Sequence, residues 1–102
     1  STLAGTAGAA GYKDGTGTAA IFNNSQGIAT DGTNLYVADT ANLTVRKIAI
    51  LSGDVTTLAG SMGVPDSIDG YSKNARFGAP HGITSDGTNL YVTDKCLIRK
   101  IH

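Results

Sequence analysis

Short apolar clusters separated by Gly, Asp and Asn recur along this chain, and no stretch keeps a helical period. Leu35, Tyr36 and Val37 sit between Asp31-Gly32-Thr33 and Asp39, and Val55 to Ala59 follow Ser52-Gly53-Asp54. Runs of this length, rich in β-branched and aromatic residues and bounded by turn formers, predict strands. In the first half of the chain they fall at 27–30, 34–38, 43–50 and 55–59. The Asp31-Gly32-Thr33 segment predicts a tight turn, because Gly accepts positive φ without steric cost. Leu35 and Val37 point to one face of their strand, and Tyr36 and Ala38 to the other. A sheet wetted on one side alternates more cleanly, so both faces are expected to be covered.

The pattern then repeats. Shifted by 55 positions, the chain overlays itself with 19 identities over its first 39 residues. Thr2-Leu3-Ala4-Gly5 returns as Thr57-Leu58-Ala59-Gly60, and Asp14-Gly15 as Asp69-Gly70. Ala20-x-Phe22 becomes Ala75-x-Phe77, Gly27-Ile28 becomes Gly82-Ile83, and the seven residues from Asp31 to Val37 reappear unchanged from Asp86 to Val92. After Asp94 the second copy is two residues shorter, and Val45-Arg46-Lys47-Ile48 then answers to Ile98-Arg99-Lys100-Ile101. Four short antiparallel strands per unit, repeated at about 50 residues, describe an all-β fold built of β-propeller blades, two to this chain.

Composition narrows the function classes. The 102 residues carry eight basic and eight acidic side chains, every acid is Asp, and Gly with Thr make up 27 positions. This is a strand-and-turn vocabulary without net charge, which argues against a nucleic-acid or membrane-surface partner. No apolar run approaches the ~20 residues of a bilayer-spanning helix. The single Cys96 excludes an intrachain disulfide and a Cys-based zinc site. Its position in a short turn, with no base near it in sequence, predicts an inert thiol.

Leu-Ala-Gly, a Gly-rich connector, Asp-Gly, Ala-x-Phe, Gly-Ile, Asn-Leu-Tyr-Val-x-Asp and Arg-Lys-Ile together resemble the NHL repeat of six-bladed propellers, over essentially the whole chain, twice. Ser25 stands where the motif usually has a Pro, which Pro80 keeps in the second copy. Two blades cannot close a ring of about four to eight. Residues 1–5 predict a lone outer strand, residues 6–60 a blade with its connector, and residues 61–102 a blade lacking its own outer strand. Thr2, Leu3 and Ala4 are therefore expected on the last blade of a neighbouring chain. Heterologous contacts of this kind must close by rotation. Six blades imply a homotrimer, eight a homotetramer; an excised or engineered propeller fragment is the further alternative.

The resemblance also places the connectors 6–26 and 61–81 and the turns 39–43 and 94–96 on one rim. Long loops on a rigid scaffold are the default ligand surface. Its polar candidates are Tyr12, Asn23, Asn24, Gln26, Asn42, Tyr71 and His81. His81 directly precedes an inner strand, so three copies could bring three imidazoles to a threefold axis, a geometry that suits a divalent metal; a solvated channel-mouth histidine is the plainer reading. Asp39 with Arg46, and Asp94 with Arg99, read as structural ion pairs that hold strand register. The chain reads as a non-enzymatic scaffold that binds a protein or small molecule, with no cofactor. The alternative is a lyase- or hydrolase-like propeller enzyme with a central metal, which would need several convergent His or carboxylate ligands.

Overall fold

Turn chemistry sets the strand boundaries. Asp31 caps the first hairpin by accepting the Thr33 and Asn34 N–H groups at 2.9 and 2.8 Å through Oδ1, while the Tyr36 hydroxyl donates to Oδ2 at 2.7 Å. Asp86 makes the same three bonds with Thr88, Asn89 and Tyr91. The structure, a computed structural model, describes residues 2–6, 8–60, 77–94 and 97–101.

Its strands are β1 (Gly15–Thr16), β2 (Ser25–Thr30), β3 (Asn34–Asp39), β4 (Thr44–Ala49), β5 (Asp54–Gly60), β6 (Pro80–Ser85), β7 (Leu90–Asp94) and β8 (Leu97–Ile101). They form two antiparallel sheets, β1-β5-β4-β3-β2 and β6-β7-β8. The first sheet has five strands rather than four, because β1 of the connector adds Gly15 and Thr16 to the edge of β5 opposite Val55 and Asp54. Thr16 Oγ1 secures it by donating to Asp54 Oδ1 at 2.6 Å. The all-β architecture and repeated sheets agree with a propeller fragment.

The sheets pack face to face. Val45 and Ala59 of the first sheet meet Leu90, Val92 and Ile101 of the second around a fully buried Phe77, with Tyr36, Leu58 and Ile83 at the margin. The opposite face of the first sheet carries a second cluster, Ala20, Val37, Ile48 and Val55, packed by Ala4, Phe22 and Leu35. Both faces of the first sheet thus carry apolar clusters. Among the described residues one face of the second sheet is covered, and Ile98 on the other is 72% exposed.

In the single chain Thr2 to Ala4 form no strand. They pack instead at the open face of the first sheet, and the Gly5 N–H donates to the Gly17 carbonyl at 3.1 Å.

Candidate functional site

The end of β3 and the start of β4 bring Asp39 and Arg46 together. The 3₁₀ turn Thr40–Asn42 and left-handed Leu43 (φ 60°) reverse the chain between them. Arg46 Nη1 donates to Asp39 Oδ2 at 2.9 Å, and both side chains are fully excluded from solvent. Nη1 also reaches the Ile21 carbonyl at 3.0 Å, while Nη2 donates to the Lys13 carbonyl and to Asp14 Oδ1, each at 2.8 Å. The guanidinium carbon lies 4.8 Å from the ring centroids of both Tyr12 and Phe22. Asp39 also accepts from the Asn23 N–H at 2.8 Å through Oδ1 and from Asn42 Nδ2 at 2.7 Å through Oδ2.

A buried ion pair persists only when further hydrogen bonds compensate its desolvation, and this cage supplies them. Among the described residues only Arg46 Nε and Thr44 Oγ1 are buried polar side-chain atoms without a partner. The second repeat rebuilds the centre: Arg99 Nη1 donates to Asp94 Oδ2 at 2.9 Å, Phe77 lies 5.4 Å from the guanidinium, and Asp94 Oδ1 accepts the Gly78 and Ala79 N–H groups. The Asp-Arg pairs, with Phe22 and Phe77, therefore tie the segments before β2 and β6 to their sheets. The hydrogen bonds that Arg46 makes to Asp39, Asp14 and two carbonyls suit clamping.

The rim residues separate into two groups. Asn42, expected on the ligand rim, is instead buried, its Nδ2 shared between Asp39 and the Gly11 carbonyl, because the connector folds over the turn. Tyr12 is also structural: its ring covers Arg46 and its hydroxyl bonds Thr57 Oγ1. Asn24 and Gln26 are exposed and bonded to each other at 2.8 Å; Asn23 is half-buried. His81 is exposed as the second residue of β6. It lies beside β2, where the His81 carbonyl faces Gly27. Tyr71 lies outside the described residues, as do the turn positions Lys95 and Cys96. Among the described residues no group of three or more His, Cys, Asp or Glu side chains is placed to hold a metal ion.

Sequence reading missed two participants. Thr40 Oγ1 donates to the Pro80 carbonyl and so links the turn after β3 to β6 of the second sheet. Asp14 closes the guanidinium cage, and its recurrence as Asp69 was the available signal. A groove of about 460 Å³ also opens on the uncovered face of the first sheet, lined by Leu3, Phe22, Ile28, Leu35, Val37 and Ile48 among others.

No family model matches the chain. Over 50 residues, 49% of its length, it is 48% identical to NHL repeat-containing protein 2 of Gallus gallus and 44% identical to the Homo sapiens protein of that name. The match spans 7% of the length of each of these curated relatives. Among solved structures, it is similar to a structural genomics protein of unknown function from Bacteroides thetaiotaomicron, with TM-score 0.89 and 32% identity over 95% of this chain and 26% of that one. An auxiliary nutrient binding protein from the same organism follows, with TM-score 0.74 and 25% identity over 96% of this chain and 27% of that one. The resemblance to NHL repeats thus holds in sequence over 50 residues, and the all-β solved structures are consistent with it.

Proposed function

We propose that this chain is a non-enzymatic propeller scaffold, closed into a six-bladed ring by three copies, whose rim binds a protein or small ligand near Asn24, Gln26 and His81. The observation that carries this reading is the pairing of unlike blade faces. One face of the first sheet buries against the opposite kind of face on the second, and one face of each kind is left over, marked by Ile28 at 61% exposure and Ile98 at 72%. Similarity to a solved nutrient binding protein supports a binding role, and the buried Asp-Arg clamps favour a rigid support over acid–base chemistry.

Light scattering on the purified chain tests the ring. Three copies of 10.4 kDa scatter as about 31 kDa. A mass near 42 kDa replaces the six-bladed ring by an eight-bladed one, and a concentration-independent mass near 10 kDa overturns it.

A further inference from the structure

The segment at 2–5 already stands where the outer strand of a preceding blade belongs. Gly60 ends β5 with φ 87° against the Phe77 ring, and Gly5, its equivalent in the repeat, has φ 92° against the Phe22 ring. Ala59 packs into the cluster around Phe77, and Ala4 into the cluster with Phe22. Leu58, the extra residue at the β4–β5 bulge, packs against the core between the blades; Leu3 holds the same place beside the groove and is 45% exposed. The last strand, β8, pairs with β7 on one side and with no described strand on the other.

We propose that residues 2–4 pair with β8 of a second copy, Ala4 opposite its Ile98 and Thr2 opposite its Arg99, while that Ile98 and Tyr91 seat against the groove. The inference rests on the ring reading above and specifies how its copies meet. The register is carried over from the pairing of β4 with β5, where Val45 faces Ala59 and Arg46 faces Thr57. Val45 corresponds to Ile98, and Ala59 to Ala4.

The chemistry of the faces agrees. Within the chain, Tyr36 and Val45 pack against Ile83, Leu90, Val92 and Ile101. Their counterparts across the proposed contact are Tyr91 and Ile98 on one copy, and Ile28, Leu35, Val37 and Ile48 on the other. Ile98 and Thr93 are larger than Val45 and Ala38, and the groove of about 460 Å³ offers volume for the difference. Pairing a strand edge that has no described partner while burying an apolar face also removes two aggregation hazards at once.

Cysteine cross-linking reads the register. In a Cys96→Ser background, the Ala4→Cys and Ile98→Cys pair is oxidised under mild conditions and run without reductant; Ala4→Cys with Leu51→Cys is the control. Directly opposed residues have Cβ atoms about 4.5–5.5 Å apart, close to disulfide reach. The expected result is a ladder of cross-linked chains for the first pair and single chains for the control. Equal yields from both pairs overturn the register. A 31 kDa particle (three times 10.4) that does not cross-link at Ala4 and Ile98 overturns this strand placement while the ring stands. A chain that stays single at every concentration overturns both. Ile98→Asp supplies the second readout: the side chain is exposed in the single chain, so the variant keeps its folded β spectrum while self-association weakens roughly a hundredfold.

Discussion

Gly27 faces the main-chain carbonyl of His81 across the boundary between the sheets, with no space for a side chain between them. Strands β2 and β6 meet at this point. A Cβ on residue 27 would also lie 3.2 Å from Gly82 Cα and the Ile83 nitrogen, and backbone cannot rotate away as a side chain can. Gly27→Ala is therefore expected to push the sheets apart and to cost about 1–3 kcal/mol. Gly82→Ala meets first the Thr93 side chain at 3.1 Å, which can shift, and costs less. Urea denaturation of the two variants checks the order; equal losses contradict it.

Arg46 is fully buried and paired with buried Asp39, so its removal is costly. Arg46→Met leaves Asp39 buried with only its Asn23 and Asn42 donors, and breaking a buried pair in this way costs about 3–5 kcal/mol. Arg46→Lys recovers little of the loss, because an ammonium cannot span Asp39, Asp14 and two carbonyls or stack between Tyr12 and Phe22. A lysine variant as stable as the parent in urea would contradict the planar clamp.

Phe77 anchors the core between the sheets and lies under Arg99. Phe77→Ala is expected to cost about 3–5 kcal/mol through lost burial and the cavity left behind. Leu51 is fully exposed, and Leu51→Ala should stay within about 0.5 kcal/mol. Thermal and urea unfolding of this pair test whether the boundary between the sheets carries the stability.

The first hairpin turn has its own pH dependence. Hydrogen bonds from the Asn34 backbone, the Tyr36 hydroxyl and the Thr33 backbone hold the Asp31 carboxyl down to about 2, below its ordinary 3.8. A carboxylate lowered on folding stabilises the fold above its ordinary pKa, and that contribution is lost as pH falls from 3.8 towards 2. Tyr36 is pushed upward by burial and by its bond to Asp31, so its contribution is present below its ordinary 10.0 and is lost as pH rises through the higher folded value. The Thr33 and Asn34 amide resonances should report the acid step with a midpoint near about 2, and Asp31→Asn should abolish it. A midpoint at the ordinary carboxylate value contradicts the capping role. Asp86, also lowered by the Asn89 and Thr88 backbone and the Tyr91 hydroxyl, should repeat the behaviour in the second blade.

Much of this protein is local, and local relations survive in one dimension. Asp31 finds Thr33, Asn34 and Tyr36 within five residues, so the turn and the two strands it joins are legible from residue types alone. Asp39 and Arg46 lie on neighbouring strands of one hairpin, a relation that spacing conveys. Repetition does the rest, because two copies of one pattern must form similar units.

The connector obeys different physics. Tyr12, Asp14 and Asn42 are polar residues in turn-rich stretches, which suits a solvated rim; only the folding of residues 11–22 over the first blade seats Tyr12 and Asp14 around Arg46 and buries Asn42. Strand positions and the repeat follow from the order of apolar and turn-forming residues. Which polar side chains lie inside, how closely Gly27 meets His81, and where residues 2–5 rest depend on contacts between segments far apart in the chain, and those are decided only when the sheets pack.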